Sequence, residues 1–407
     1  MHILLIHQAF AALNEAGGTR HYELATYLAK KGHQVTIIAS PISYLTGKGK
    51  QSDSDKHLIL EGIRIFRTYT YPALHKSFIH RVISFISFMV SSFVRALSIR
   101  HVDIVWGTSP PIFQSFTAWM IARLKRKPFL LEIRDLWPAF AIQVGVLKNP
   151  LLIHLSLWLE KFLYRHADKI VVNSPGFIQH IQDKGVRNII MIPNGSDVDM
   201  FHPLDKGLNF RREHHAENRF IVMYAGAHGI SNDLEVILAT ANILRNKNQI
   251  QFILIGDGKE KPVLMEKAKA QNLSNVMFID PIAKDQMAQA LAAADVCVAI
   301  LKPIELFKTT YPNKVFDYMA AGRPILLLID GVIRKVVEEA RCGIFVQPGN
   351  PQKLADAISW MSNHPGERKK MGKSGRIYLE KHFDRIEIAD TFNKVIENTQ
   401  KQWLKKY

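Results

Sequence analysis

An α/β fold of two doubly wound, parallel-sheet domains is what this sequence predicts, and three observations predict it. Short apolar runs alternate with helix-period patterns along nearly the whole chain. Several of these runs end in glycine-rich turns, where an open α/β sheet binds its ligands. The alternation halts at PNGSDVDMFHP, residues 193–203, which packs three turn signals into eleven residues, and then restarts. A chain of 407 residues exceeds what one core fills, so this break reads as a domain boundary. The expected domains are 1–193 and 194–383, with a terminal helix over about 384–407 packing back on the first.

In the first half, residues 3–6 read as a buried strand. A loop carrying Gly17 and Gly18 follows, then a helix over 20–31 with Tyr22, Leu24, Ala25 and Leu28 on its apolar side, then a strand at 35–39. The glycine pair lets backbone approach a ligand closely. It is not GxGxxG, and no acidic residue closes the second strand, which argues against a dinucleotide dehydrogenase. Residues 53–65 lead as a loop into an added strand at 63–67. A long apolar helix spans 76–101, with Lys76, Arg81, Arg95 and Arg100 around it and Phe78, Phe85, Phe88 and Phe93 along it. Its most apolar part, 82–94, falls short of the ~20 residues of a spanning helix. It reads either as a core helix with basic ends in solvent or as an element lying in a membrane interface. Strands at 103–106, 129–133, 169–173 and 189–192 follow, with helices at 110–124 and 151–166. The basic cluster RLKRK at 123–127 reads as a solvated helix end. The strand at 129–133 ends in Arg134 and Asp135, candidate acceptor-side or catalytic groups, the alternative being a structural ion pair.

The second half repeats the rhythm, with strands at 220–224, 251–255, 276–279, 295–300, 325–329 and 343–346 and helices at 232–244, 284–293 and 334–340. Two strands end in glycine turns, one holding Gly226, His228 and Gly229, the other Gly256, Asp257 and Gly258. The segment TTYPNKVFDYMAAGRP, 309–324, is the centre of the reading. Pro312 pre-sets a first helical turn, Val315, Phe316, Tyr318, Met319 and Ala320 form an apolar face, and Gly322 closes the helix. The helix N-terminus therefore carries Asn313 and Lys314, with Asp317 one turn on. Free N–H groups, the positive dipole end and a lysine suit an anion, and a carboxylate one turn in suits a ribose diol. The chemistry suggested is a nucleotide diphosphate, against a plain βαβ helix with solvated Lys and Asp.

Composition narrows the class. Apolar residues make up 47% and charged residues 22%, enough for ordinary cores. The two cysteines, Cys297 and Cys342, lie in apolar runs and read as buried thiols of a reducing compartment. The formal net charge is +17, of which +10 is carried by residues 1–203, so the excess is spread along the chain. Such a balance implies an anionic partner: nucleic acid, an acidic membrane or a phosphorylated substrate. No RNA-binding or helix-turn-helix signature supports the first, and no Cys or His spacing suggests a metal. The start HILLIH is too short, and too poor in basic residues, for a signal peptide.

The glycine loop after the first strand, the IPNGSDVDMFHP linker, the YAG and LIGDG strand ends and the segment ending FDYMAAGRPIL together resemble the family 4 glycosyltransferases over essentially the full length. That resemblance implies the GT-B fold, two Rossmann-like domains facing across a cleft. Within the family, EIRDLWP and YPNKVFDYMAAGRP look most like the lipopolysaccharide and exopolysaccharide enzymes of the L-fucosamine and colanic-acid type. It implies transfer, with retention, of a sugar (an N-acetylated amino or deoxy sugar) from a UDP-linked donor to a polyprenyl-diphosphate-linked or saccharide acceptor. The expected setting is O-antigen or exopolysaccharide synthesis by a cytoplasmic enzyme peripheral on the inner face of the plasma membrane, with no cofactor, metal or nucleic acid. By motif, Asp317 matches the second acid of the family's E-x7-E pattern, which binds the ribose. The first acid's place falls on Thr309 or nearby Thr310, and the family's Arg and Lys near the first strand of the second domain are replaced by AHGISND, with His228, Gly229 and Asn232. Phosphate charge then falls to Lys314 and Arg323 with backbone N–H groups. Two rival readings are a GT-B UDP-sugar 2-epimerase and a non-catalytic membrane-associated assembly subunit.

Overall fold

The computed structural model describes residues 1–43, 46, 47, 49, 57–72 and 77–406. Met1–Ala12, Gly17–Pro193 and Ile386–Tyr407 form one compact unit, and Leu13–Ala16 with Asn194–Arg385 a second. Lys76, part of the 53–65 loop and the side chain of Phe78 lie outside the described residues.

The first unit begins with β1 (His2–Ile6), α1 (Arg20–Lys30), β2 (Gln34–Ala39), β3 (His57–Leu60) and β4 (Ile63–Arg67). It continues with α2 (Phe78–Leu97), β5 (Ile104–Ser109), α3 (Ile112–Lys125), β6 (Phe129–Ile133) and α4 (Ala139–Gln143). The last elements of this run are α5 (Pro150–His166), β7 (Lys169–Val172), α6 (Gly176–Gln182) and β8 (Ile189–Met191). Among the described residues the strands make one eight-stranded sheet, ordered β3-β4-β2-β1-β5-β6-β7-β8 and parallel except for β3 on β4. Beyond His2, β1 is all apolar, as suits a strand buried on both faces, and Ile3–Ile6 are fully buried. From β1 the chain steps to β2 on one side and to β5 on the other, so the topological switch point lies between β1 and β5. α3 packs against both α2 and α5. Gly107 lets α3 close on β5, since a Cβ there would sit 2.7 Å from that of Ala118.

The second unit holds α7 (Leu208–Glu213), β9 (Phe220–Ala225), α8 (Glu235–Ile243), β10 (Ile250–Ile255) and α9 (Lys261–Ala270). Next come β11 (Val276–Ile279), α10 (Lys284–Ala293), β12 (Val296–Ile300), α11 (Asn313–Ala320), β13 (Ile325–Leu328) and α12 (Val332–Glu339). It closes with β14 (Gly343–Phe345), α13 (Pro351–Asn363) and α14 (Pro365–His382). Its described strands form a six-stranded parallel sheet, β11-β10-β9-β12-β13-β14, with the switch point between β9 and β12. Ile221, Met223 and Ala225 face one apolar layer with α11, and Val222 and Tyr224 face the other with α8 and α13. α11 buries Val315, Phe316, Tyr318, Met319 and Ala320. Truncating the fully buried Phe316 to alanine costs roughly 3–5 kcal/mol. The final helix, α15 (Arg385–Lys406), lies in the first unit from Ile386 onward, where Phe392 meets Trp106 with ring centroids 4.6 Å apart.

Four expectations change. Within the loop expected over 53–65, His57–Leu60 form β3, paired antiparallel with β4. Pro312 is the extended residue before α11 (φ −66°, ψ 126°), so the helix starts one residue later, at Asn313. The helix expected over 232–244 splits into a 3₁₀ turn at Ile230–Asn232 and α8, because Asp233 takes a left-handed conformation, φ 49°. The apolar helix is longer than its most apolar run: Ile79–Leu97 is 19 residues, long and apolar enough by length and composition to cross a membrane. Its serines extend the helix at low cost by turning inward on its own carbonyls, as Ser87 does on Ser84 and Ser92 on Met89. α2 nonetheless packs on α3, with Phe85 and Phe88 buried.

Candidate active site

In the second unit the loops leaving β9 and β10 interlock. Gly226 N–H donates to Ile255 O (2.9 Å) and His228 N–H to Asp257 O (2.8 Å). A Cβ at Gly256 would lie 1.9 Å from Gly226 O, and one at Gly258 2.5 Å from His228 O. Both glycines have positive φ, 145° and 156°. These glycines therefore serve the close approach of one loop to the other. The packing seals in His228, whose ring is fully buried with neither nitrogen hydrogen-bonded. Burial, with Lys261 and Lys314 nearby, lowers its pKa to about 4, so the ring is neutral.

Lys314 enters from the other side of the switch point. Its Nζ lies 3.8 Å over the Tyr224 ring, inaccessible and without a hydrogen-bond partner. A Cβ on Gly226 would come 2.7 Å from that Nζ. Burial lowers the amine's pKa to about 7. So the Gly226 loop, His228 and Lys314 do meet, at the carboxyl ends of β9 and β12. An unpaired buried amine and an unpaired buried imidazole side by side are costly unless a ligand completes them.

Asp317 takes a different direction from the expected open carboxylate. It is buried, accepting from Ser196 Oγ (2.8 Å) and Lys284 Nζ (2.5 Å), with Asn313 Nδ2 at 3.4 Å. It anchors α11 to the linker and to α10. Asn194 does the same through Tyr311 O (2.8 Å). Thr309 and Thr310 turn back on Leu306 O and Phe307 O, where they shape the loop. Asp257 caps its own turn through Gly258 N–H, and Gly229 opens the 3₁₀ turn. Arg323 donates to Asp205 O and Pro203 O, so it ties down the linker and is not offered to a phosphate. Lys284 and Ser196 were not foreseen; nothing local in the sequence marks a partner 33 or 121 positions away.

The first unit gathers a second polar cluster at its own switch point. Arg134 donates to Thr108 Oγ1 (2.9 Å) and Pro110 O (2.9 Å) and meets His7 Nε2 at 3.3 Å. Asp135, next along, is exposed as a residue, while desolvation of its carboxyl raises it to about 6 against the pull of Arg134. Beneath them Glu132 is fully buried and accepts from Arg20 Nε (2.8 Å), His21 Nε2 (2.7 Å) and Trp106 Nε1 (3.1 Å). Burial alone would raise Glu132, but His21 and Arg20 hold it well below the carboxylate range. Burial keeps His21 neutral, lowering it to about 4, and an ionised carboxylate only accepts, so Nε2 carries the proton. The His7 and His21 rings lie 4.1 Å apart. The sequence reading missed this cluster, which joins residues of α1, β5 and β6 that lie far apart along the chain. Gly17 and Gly18 are exposed in that loop, with open space around Gly18. Among the described residues no group of three His, Cys, Asp or Glu side chains is placed to hold a metal ion.

Two doubly wound units, one with a buried amine at its switch point and one with a buried acid–imidazole cluster at its own, have the GT-B fold. Residues 219–364 match the family described as Glycosyl transferases group 1, and 16–195 that described as Glycosyl transferase 4-like domain. The Escherichia coli K12 protein WcaI, named for colanic acid biosynthesis glycosyl transfer, is 25% identical over 312 residues, 74% of this chain and 76% of its own. Sucrose-phosphate synthase from Thermosynechococcus elongatus has the same fold (TM-score 0.78, 20% identity, 98% of each chain). So does Anabaena HepE solved with UDP-glucose (TM-score 0.74, 14% identity, 98% of this chain and 100% of that one). The chain belongs to the family 4 glycosyltransferases.

Proposed function

We propose that this glycosyltransferase moves a sugar, with retention, from a UDP-linked donor to a lipid-linked or saccharide acceptor in bacterial surface-polysaccharide synthesis, at the inner face of the plasma membrane. The observation that carries the donor half is the buried, unpartnered Nζ of Lys314 beside Gly226 and His228. A diphosphate there would supply the missing acceptor atoms and draw the amine into its charged form. HepE, of the same fold, was solved with UDP-glucose, which supports UDP as the carrier. The name of WcaI, a glycosyl transferase of colanic acid biosynthesis, supports a polysaccharide as the product.

In this mechanism the bond from the sugar's anomeric carbon to the diphosphate breaks as the bond to the acceptor oxygen forms on the same face. The acceptor's proton passes to the departing phosphate oxygen. Lys314 and the first N–H groups of α11 stabilise the charge that develops there. No protein nucleophile is needed. Arg134 and Asp135 would orient the acceptor hydroxyl, Arg134 being already fixed by Thr108 and Pro110.

The test is isothermal titration with UDP and with GDP, for the wild type and Lys314→Ala. Tight UDP binding that the substitution abolishes is the expected result. A preference for GDP would change the donor class, and no binding of either nucleotide would overturn the site.

A further inference from the structure

Among the described residues, the exposed side of α2 is aliphatic. Ile79, Ile83, Ile86, Val90, Val94 and Leu97 are 68%, 44%, 43%, 56%, 64% and 47% exposed, at successive spacings of four, three, four, four and three. That is one stripe along the helix, ~28 Å long at 1.5 Å per residue. Two of the aromatic residues along the helix face inward instead: Phe85 packs on Phe113 (5.8 Å), and Phe88 is buried. α5, on the other flank of α3, adds exposed Leu151, Leu155 and Trp158. So large an uncovered apolar surface calls for an occupant.

The charges say which kind. α2 and α3 contain no acidic residue, and the one acid of α5, Glu160, is buried on His180 and Lys184. The C-terminal ends of the three helices are tied together. Lys125 Nζ donates to Leu97 O (3.1 Å) and Ile99 O (2.7 Å), and Arg123 to His166 O (3.0 Å). That common end exposes Arg100, Arg123, Arg126, Lys161 and Arg165. A second copy of this chain, at net +17, would bring more positive than negative charge to meet it. A bilayer offers both an acyl layer for the stripe and anionic headgroups for the basic end.

We infer that α2, with α5, lies flat in the headgroup–acyl boundary of an anionic membrane, stripe inward and the Arg126–Lys161 end on the headgroups. This deepens the reading above by naming the surface through which the chain would reach a lipid-linked acceptor, and it rests on that reading only for the acceptor's location. Arg95, earlier an obvious cation for this role, is occupied: its guanidinium stacks 3.8 Å over Phe66.

The experiment is co-sedimentation of the full chain with phosphatidylglycerol-containing and pure phosphatidylcholine vesicles at low and high salt. The wild type is compared with Val90→Glu/Val94→Glu and with Arg126→Glu/Lys161→Glu. The expected result is binding to the anionic vesicles that falls about tenfold or more in either variant. Salt should weaken the wild type and leave little in the second variant to weaken. Thermal melts and UDP titration, unchanged in both variants, separate loss of this surface from loss of the fold or of the donor site. A wild type that stays in solution with every vesicle overturns the inference. So do variants that bind like the wild type. Sedimentation velocity showing a dimer that Val90→Glu/Val94→Glu dissolves, without vesicle binding, would give the surface to a second copy instead.

Discussion

Replacing Lys314 by methionine keeps the stem and removes the amine, and the structure sets what that should do. The amine titrates near 10.5 when unfolded and is lowered to about 7 by burial in the fold. Above about pH 10.5 it is neutral in both states and contributes nothing. Between the two values the unfolded chain holds a proton that the folded chain does not, so stability falls as pH drops through that window. At about pH 8 the wild type carries a cost of roughly 3 kcal/mol that Lys314→Met lacks. The variant should melt higher, with the gap widening from about pH 10 down to about pH 7 and then holding constant. Calorimetric melts across that range are the assay. A variant that melts below the wild type, or a gap that does not depend on pH, would refute the claim that this amine is buried and unpaired.

The same cost should be recovered on binding. A diphosphate beside Nζ raises its pKa, so at about pH 8 the wild type takes up about 0.9 proton for each UDP bound at this group. Titration in two buffers of different ionisation enthalpy reads that uptake. The UDP phosphate's own titration is common to both proteins and cancels in the difference. Lys314→Met should lose the uptake and bind about 10- to 100-fold more weakly, the loss of one charge-assisted contact. Equal uptake in the two proteins would place the diphosphate elsewhere.

Three other outcomes follow from the same geometry. Asp317→Asn leaves Lys284 buried beside a neutral group and should destabilise the second unit by roughly 3–5 kcal/mol in denaturant unfolding, with Lys284→Met/Asp317→Asn recovering part of it. His228, lowered to about 4, takes a proton only on unfolding between pH 6.5 and that value, so stability drops as pH falls through this window. His228→Leu should therefore outlast the wild type by roughly 2 kcal/mol at about pH 5 in chemical melts and match it above about pH 7. Asp135, raised to about 6, loses its charge below that value. If its carboxylate orients the acceptor hydroxyl, transfer rates should fall on the acid side of about pH 6, and Asp135→Asn should show a lower rate with that acid limb gone.

What could be read from the sequence and what could not divide along physical lines. The buried strands announced themselves because helices cover both faces of each sheet, so runs such as 3–6 and 325–329 carry no polar residue. α4, α6 and α9 were not seen, since short helices with mixed faces leave little period to detect. The helix at 313 was legible, but the fate of its polar residues was not. Lys314 and Asp317 are one turn apart and were read as one nucleotide site, yet they serve different partners: Lys314 turns to Tyr224 and Gly226, and Asp317 to Ser196 and Lys284. Those partners lie far along the chain, and only sheet order brings them near. The apolar helix at 78–97 shows the same limit. Its period was plain, but which of its two apolar faces remained uncovered depended on α3.

The absent first acid at Thr309 and the absent Arg and Lys of the second domain become one problem once His228 and Lys314 are considered together. A strongly charged site would have to keep its cations hydrated or paired while empty. Here both groups are buried without partners: burial, with the repulsion of Lys261 and Lys314, holds the imidazole uncharged, and burial brings the amine close to discharge at neutral pH. Lys261 itself is already occupied, donating to Gly256 O (3.0 Å) and Asp280 Oδ1 (2.6 Å), so it holds the β10 loop and supplies field without contact. An arriving diphosphate would meet an amine that gains its charge from the ligand's own field, and the binding energy would go first into restoring that proton. Affinity for the nucleotide would then be modest at alkaline pH and rise as protons become available. A site built on permanently charged arginines has no such dependence, and the slope of UDP affinity against pH is what tells the two constructions apart.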